Sequence, residues 1–282
     1  LISGKVVANS GGEGGNFGHY FAAQVYTGAD GLGVARPSDS NGGNNDMAWV
    51  DFNPTDPATS DITVRVATSF ISAEQARENL RQEVSPSVSF EDLFASAKRD
   101  WNAVLSRVDV KSIDGGYSAE EQRTLYQTFR ASLFPRQLSE TTAEGELVHY
   151  SPYDEAGKVY PGPLSTDSGF WDAYITVYPY LSLIHREQLG TTVQGWLNAY
   201  QEGEWLPKWA SPGYRGSMVG TMGDVSLADA IVNDIPGFNQ QLAYEAIRKD
   251  AFDIPSGDLR GKGRVCLPAY LKYGYVPRDA ES

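Results

Sequence analysis

Residues 62–84, ITVRVATSFISAEQARENLRQEV, contain the point at which the chain changes from strand periodicity to helix periodicity. In residues 62–66 apolar and polar side chains alternate, which predicts a β-strand. Ser72 can then cap a helix, with Gln75 three residues later as its capping-box partner. An apolar stripe at helical spacing follows: Ala76, Leu80 and Val84. The chain is therefore expected to be β-structured before this stretch and helical after it.

The region that ends with residue 70 contains four predicted strands, at residues 5–8, 19–27, 48–52 and 62–70. Clusters of Gly, Asn, Asp and Pro separate them at residues 31–45 and 53–56. Four strands amount to half of a β-sandwich and are too few to close one. The glycine-rich residues 11–15 lack the Lys-Ser/Thr pair and the following helix of a nucleotide-binding loop, so a surface hairpin is favoured there.

The region after the change is predicted to be helical. Ser89 with Asp92 and Ser118 with Glu121 both have capping-box spacing, and Pro135 ends the second of these helices. A short strand is predicted at residues 107–112, and a domain boundary at Asp-Gly-Gly, residues 114–116. A long polar loop spans residues 139–168, and apolar stripes at helical spacing then recur as far as Leu271. Such helices, joined by alternating short and long loops, indicate an α/α toroid.

Composition excludes several classes of partner. The chain has 282 residues, a net charge of −13 and a pI near 4.7, so nucleic acid and anionic membrane surfaces would repel it. No apolar run is long enough to span a bilayer. The charge suits neutral or cationic ligands and hard cations such as calcium. The single cysteine, Cys266, excludes an intramolecular disulfide and is interpreted as a small buried hydrophobe.

Three Gly- or Pro-broken connections, residues 168–172, 203–209 and 217–224, carry Trp or acidic side chains, and the first places Trp171 beside Asp172. A sugar ring stacks its apolar face on an indole and fixes its hydroxyls on a carboxylate, so these connections predict carbohydrate binding. Trp171 and Asp172 are the first candidates, although Asp172 could instead cap a helix. Trp205 and Trp209 are the second, because the Leu-Pro between them interrupts a regular helix, so the two Trp are not both core residues of one helix face by default.

The sequence pattern identifies no catalytic pair. A glycosidase needs two carboxyl groups that flank the scissile bond. Asp224 and Asp229, five residues apart, do not share a helix face; Asp224 is interpreted as an N-cap, and Asp229 would need a buried partner. The three histidines, His19, His149 and His185, match no zinc spacing.

Several segments together resemble glycoside hydrolase family 92, the calcium-dependent exo-acting α-mannosidases. They occur in family order from about residue 60 onward, and matches this numerous and collinear are far more specific than a single motif. The segments are residues 71–80 (ISAEQARENL), 170–172 (FWD), 178–179 (YP), 205–209 (WLPKW), 218–220 (MVG), 228–230 (ADA), 243–251 (AYEAIRKDA) and 274–277 (GYVP).

The resemblance implies a β-sandwich followed by an (α/α)6 barrel. Residues 1–70 would be the C-terminal part of the sandwich, 71–115 a helical linker with a short strand, and 116–282 the first part of the barrel. Family members hydrolyse α-linked mannose with inversion, using a Glu acid, an Asp base and a bound calcium ion. The resemblance places Trp171 and Asp172 at the mannose pocket. It further implies a secreted enzyme that acts on mannose-containing glycans.

The chain departs from the family at Ile175, where Arg is usual, and at Met222, where His is frequent. The family's acid, base and calcium segments are expected beyond Ser282, so no catalytic or metal-binding residue is assigned within this chain. The chain is therefore expected to be an internal piece whose partner is the remainder of the same polypeptide. The alternatives are a non-catalytic sugar-binding or scaffold protein of this fold, and a toroidal lyase or glucan hydrolase.

Overall fold

The computed structural model describes residues 1–6, 17–27, 33–34, 39–42, 48–52, 61–110, 116–133, 137–216, 220–256 and 261–280. The chain divides into two compact units. The β unit comprises Leu1–Asn9, Gly18–Ser106 and Glu140–Gly145, and the helical unit comprises Ser10–Phe17, Arg107–Ser139 and Glu146–Ser282. The glycine-rich residues 11–15, the turn at 53–56, residues 114–115 of the predicted boundary and Pro135 lie outside the described residues.

The β unit is built on a four-stranded antiparallel sheet in which β2 (His19–Thr27) pairs with three partners. These are β1 (Ile2–Val6), β3 (Gly33–Val34) and β6 (Ile62–Ser69). Two further strands, β4 (Asp39–Gly42) and β5 (Ala48–Asp51), pair with each other. The strands predicted at residues 19–27, 48–52 and 62–70 are thus confirmed, and the first strand begins earlier than predicted.

Helix α1 (Ala73–Glu83) packs on one face of this sheet, as the change of period predicts. Its core contains Ala22, Ala67, Ala76 and Leu80. The Ser72 hydroxyl accepts the backbone N–H of Gln75, so the predicted cap is present. The first residue of β7 (Glu140–Thr141) accepts hydrogen bonds from the Phe70 backbone N–H and the Asn79 side chain, at 2.6 and 2.8 Å.

Two more helices begin as predicted. Ser89 and Asp92 form a complete capping box at the start of α2 (Phe90–Leu105), and Ser118 and Glu121 form one at the start of α3 (Ala119–Ser132). The short strand predicted at residues 107–112 is not seen in its described part, because residues 107–110 are turn and irregular backbone.

The predicted loop at residues 139–168 contains more order than expected. Within the helical unit, β8 (Leu147–Tyr150) and β9 (Val159–Pro161) form an antiparallel hairpin. His149 of β8 is completely buried and bonds to Glu202, which anchors the hairpin on a helix. A hairpin with one buried polar residue has little apolar alternation, so the sequence pattern did not reveal it.

The remaining helices of the helical unit coincide with the predicted apolar stripes. They are α4 (Phe170–Ala173), α5 (Val177–Ile184), α6 (Arg186–Gly203), α7 (Met222–Val232), α8 (Gln240–Phe252) and α9 (Leu267–Tyr273). Helix α6 packs on α5 and α8, and α7 packs on α4 and α8. Gly274 ends α9 in the left-handed conformation, as predicted. In the described part of the chain, no helix is both long and apolar enough to cross a bilayer.

Two helical glycines provide a matched test of this packing. A Cβ on Gly190 of α6 would overlap the Pro236 carbonyl oxygen, whereas a Cβ on Gly223 of α7 would lie 3.7 Å from Phe170, an ordinary contact. We expect Gly190→Ala to lower the free energy of unfolding by more than about 2 kcal/mol, as overpacked cores do. Gly223→Ala should be neutral or stabilising by up to about 1 kcal/mol. Urea denaturation of both variants measures the difference, and equal effects would contradict the packing described.

Candidate functional site

An aromatic cluster holds α4 in place. Phe170 is 1% exposed and packs edge-on against Trp196, with ring centroids 4.8 Å apart. The ring of Tyr178 in α5 also packs edge-on against the Trp196 indole, with ring centroids 4.9 Å apart. The Trp196 Nε1–H donates to the Ser168 hydroxyl at 3.1 Å, immediately before α4. The buried ring of Phe170 therefore fixes the orientation of the two residues that follow it.

The three connections selected from the sequence meet in the helical unit. The Ser168 backbone N–H donates to the Ala210 carbonyl at 3.1 Å, which joins α4 to the end of the 203–209 segment. Phe170 lies beside Gly223 in the first turn of α7. Residues 217–219 of the third connection lie outside the described residues. Long-range packing thus brings together residues that are 42 positions (Ser168 and Ala210) and 53 positions (Phe170 and Gly223) apart in the chain.

Trp171 and Asp172 lie on the surface of this junction. Trp171 is 49% exposed, and Asp172 is exposed as well. Asp172 does not cap α4: its backbone N–H bonds to the Gly169 carbonyl at 3.1 Å, so Gly169 is the N-cap and Asp172 lies in the first turn. Within the described residues no donor hydrogen-bonds to its carboxylate. An open indole and an open carboxylate are therefore adjacent.

Trp205 and Trp209 differ in exposure. Trp205 is only 7% exposed, and the Lys249 ammonium lies 4.8 Å from its ring centroid. The Tyr214 hydroxyl clamps its backbone by accepting from the Trp205 N–H and donating to the Trp205 carbonyl. The Trp205 ring thus belongs to the core of the helical unit and offers little surface to a sugar; a sugar-facing role for it stays a prediction. Trp209 is half-buried, and its role stays a prediction.

A buried charged cluster that the sequence analysis missed lies next to this junction. Asp224 is 4% exposed and Asp250 is 1% exposed, and their carboxyl groups are within hydrogen-bonding reach of each other. Arg264 donates to Asp224 Oδ2 at 2.7 Å. Lys208, 8% exposed, interacts with Asp250 through charge. The predicted N-cap role of Asp224 is wrong: Thr221 is the N-cap of α7, and Asp224 lies in the first turn of the helix.

Burial shifts the protonation of this cluster. It raises the pKa of Asp250 to about 8, with a further contribution from neighbouring Asp224. It raises the pKa of Asp224 too, but hydrogen bonds from Thr221 and Arg264 oppose that shift. Arg264 therefore favours the ionised form of Asp224, whereas burial and the neighbouring carboxyl group favour the protonated form of Asp250. Burial lowers the pKa of Lys208, which the charge of Asp250 partly offsets.

A cavity of about 460 Å³ opens beside the cluster. Its lining combines cationic, polar and apolar side chains: Lys208, Gly220, Thr221, Met222, Val225, Arg264, Val265, Leu267, Tyr270 and Val276. Asp224 and Asp250 do not line it but interact with its two cations. Met222, one of the departures from the family pattern, thus lies in a cavity wall.

The described residues do not provide a metal site. They include no group of three or more His, Cys, Asp or Glu that could hold an ion. Each histidine has another partner: His19 stacks on Phe70, His149 bonds to Glu202, and His185 packs edge-on against Tyr180. The buried pair Asp224 and Asp250 does not fit calcium, because Arg264 is already bonded to Asp224 and burial favours the protonated form of Asp250.

Replacing Asp250 by Asn tests the shared proton. The folded-state pKa of Asp250 lies above the unfolded value of about 4, so the folded protein holds more protons between about pH 4 and 8. The contribution of Asp250 to stability therefore falls as pH rises through this range, by up to about 1.4 kcal/mol per pH unit. Asp250→Asn should flatten this slope and leave stability at pH 8 equal or higher. An unchanged slope in urea titrations at several pH values would contradict the assignment.

The comparisons with known proteins identify the family. Residues 75–282 match the profile of the glycosyl hydrolase family 92 catalytic domain. The chain is similar to an inverting mannosidase of that family from Bacteroides thetaiotaomicron, with 31% identity, a TM-score of 0.83 and 98% of this chain covered. It shares the fold of a second α-mannosidase of the family from that organism, with 22% identity, 94% of this chain and 35% of that chain covered and a TM-score of 0.70. The chain therefore belongs to glycoside hydrolase family 92, with a β-then-α fold similar to these structures.

The chain is shorter than its relatives. It spans 37% of the first of these mannosidases. A curated relative, an uncharacterized secreted glycosidase of Arthroderma benhamiae, is 26% identical over 233 residues, which are 81% of this chain and 25% of that protein. These 282 residues thus correspond to about a third or less of the proteins they match.

Proposed function

We propose that the intact protein containing these residues hydrolyses terminal α-linked mannose of glycans with inversion, and that Trp171 and Asp172 hold the sugar. Membership of family 92 across residues 75–282 is the observation that carries this proposal. It is supported by the neighbouring open indole and open carboxylate on α4, which is how proteins hold a hexose.

The acid and base are proposed to come from the part of such enzymes that this chain does not span. An inverting glycosidase needs two carboxyl groups roughly 6.5–9.5 Å apart, with room for a water molecule. Asp224 and Asp250 do not suit this chemistry because they are buried, within reach of each other, and held by Arg264. Calcium dependence, which the family resemblance implies, is likewise assigned to the intact protein.

The finer architecture is also a proposal. Residues 1–70 would be the C-terminal part of a β-sandwich, 71–115 a linker, and 116–282 the first part of an (α/α)6 barrel. Val64 and Val66 support the first assignment, because 58% and 52% of their surface is exposed on one face of β6. A second sheet packed on this face would bury both side chains.

The cellular location and substrate follow from the same proposal. The curated relative is named as a secreted glycosidase, and we propose secretion for this protein as well. Its substrate would be a mannose-containing glycan, which is neutral and therefore compatible with a net charge of −13.

A non-catalytic sugar-binding protein is the second candidate. The observation in its favour is Ile175, which is 68% exposed and follows Trp171 by one helical turn. The family tends to carry Arg at this position, and an aliphatic side chain cannot donate hydrogen bonds to a sugar or to a reacting group.

Mannose release distinguishes the two candidates. The intact protein is incubated with α-linked mannobiose in calcium, then with a chelator, then with calcium restored. We expect mannose release that the chelator abolishes and calcium restores. Binding of mannobiose without any release would support the non-catalytic candidate and contradict hydrolysis.

A further inference from the structure

The cavity next to the buried charged cluster has the size and lining of a small-molecule site. Its volume of about 460 Å³ falls within the range of about 300–1,000 Å³ that is typical of ligand pockets. Lys208, Arg264 and Thr221 supply the polar part of its wall, while Leu267 and Val276 belong to an apolar part. A ligand that fits this wall has a polar end and an apolar body.

Lys208 is the residue that points to a ligand. Its side chain is more than nine-tenths buried, and what remains exposed lines the cavity. Among the described residues its ammonium has no hydrogen-bond acceptor or close ion-pair partner; it interacts with Asp250 only at longer range. A cation at a cavity wall that has no close partner in the protein is available to bind an anion that enters the cavity.

Two cations line the cavity, Lys208 and Arg264, and no carboxylate is among the described residues that line it. Arg264 is bonded to Asp224 Oδ2 at 2.7 Å, so Lys208 is the one of the two without a close partner. The positive lining is opposite in sign to the net charge of −13 of the whole chain. A singly charged anion would pair with Lys208.

Further donors lie at the same wall. Arg264 uses Nη2 toward Asp224; its side chain is 43% exposed and lines the cavity, and its guanidinium has further N–H groups. Helix α7 begins at this wall, and its N-cap Thr221 makes no side-chain cap bond. The first backbone N–H groups of a helix bind anions when they are left unpaired.

We propose that this cavity binds a small organic oxyanion, a phosphate or carboxylate group on a compact apolar body. Lys208 and Arg264 bind the oxygen atoms, together with the start of α7. Leu267, Val276 and Tyr270 contact the body. Trp171 and Asp172 are not among the residues that line it.

Calorimetric titration of the intact protein tests the site with three probes of one size: phenyl phosphate, benzoate and neutral benzyl alcohol. We expect saturable binding of at least one anion and at least tenfold weaker binding of benzyl alcohol. The first two probes decide whether the group is a phosphate or a carboxylate. Equal affinity for benzyl alcohol would overturn the proposal. The absence of saturable binding of either anion at concentrations up to about 10 mM would overturn it as well, because a dissociation constant above that value is too weak for a specific site.

Matched variants locate the site. Lys208→Gln should weaken anion binding at least tenfold, whereas Lys272→Gln, an exposed lysine of α9 that does not line the cavity, should leave it unchanged. Hydrogen–deuterium exchange on the unmodified protein gives a readout that does not depend on a variant folding. The anion should slow exchange at the start of α7 and in the segment around Lys208. Slower exchange only in other parts of the chain would contradict the assignment. Equal loss of anion affinity in Lys208→Gln and Lys272→Gln would contradict it too.

Discussion

Asp172→Asn is expected to lower kcat/KM of the intact protein for an α-mannoside by about 100-fold. The carboxylate is proposed to accept hydrogen bonds from two sugar hydroxyls, and an amide has only one acceptor oxygen and no charge. Hydrogen bonds to charged groups contribute about 1.5–3 kcal/mol each, so weakening two of them gives this effect. Trp171→Ala removes the stacking face and should mainly raise KM, because stacking binds the ground state and the transition state alike.

Two surface variants serve as controls for these substitutions. Asp253→Asn replaces an exposed carboxylate at the end of α8, and Tyr244→Ala removes an aromatic ring that is 58% exposed on the same helix. Both should retain the parent kcat/KM within about twofold, since neither lies at the α4 junction. Initial rates of mannose release measure all four variants. Unchanged kcat/KM in Asp172→Asn would refute its sugar-binding role.

Glu202→Ala is expected to lower the free energy of unfolding by about 3–5 kcal/mol, the usual effect of removing one partner of a buried pair. His149 Nε2 lies 2.9 Å from Glu202 Oε1, and both side chains are almost fully buried. The Gly162 carbonyl can only accept, so His149 Nδ1 donates to it, at 2.9 Å. Loss of the carboxylate leaves the imidazole without a partner for Nε2 and opens a cavity beside the hairpin.

A double variant shows whether the loss comes from the broken pair. His149→Phe combined with Glu202→Leu replaces both groups by apolar side chains and should recover most of the stability lost by Glu202→Ala. Asp253→Asn, an exposed carboxylate substitution, should change stability by less than about 0.5 kcal/mol. Urea denaturation measures all three variants. A Glu202→Ala variant as stable as the parent would contradict the buried pair.

The β-then-α order could be predicted because local signals agreed with each other. Strand β6 alternates with period two, and α1 begins after a Ser72 cap that the structure contains. The capping boxes at Ser89 and Ser118 involve residues only three positions apart, so sequence alone specifies them. The end of α9 could be predicted for the same reason, because Gly274 adopts the left-handed conformation that favours glycine.

Features that depend on distant partners could not be predicted in the same way. The hairpin at residues 147–161 is anchored by His149 to Glu202, 53 positions away. Trp205 looked like a surface aromatic because Gly and Pro surround it, but Tyr214 and Lys249 cover it. Tertiary packing, which a local pattern does not contain, decided both outcomes.

The sequence contained one signal for the buried charged cluster. Asp250 follows the buried residues Ala243 and Ala246 at helical spacing, so it occupies a core position of α8. A charged residue on the buried face of a helix needs a partner, so its position predicts a buried ion pair or hydrogen bond. The identity of the partners, Asp224 and Arg264, depends on how α7 and residue 264 fold back on α8, which the spacing does not reveal.

The anomeric form of the first product tests the proposed function most directly. Proton NMR spectra are recorded in the first minutes after the intact protein is mixed with an α-linked mannobiose and calcium. An inverting α-mannosidase must release mannose first in the β form, which then mutarotates. Initial release of the α form, or no mannose at all, would contradict the proposed reaction.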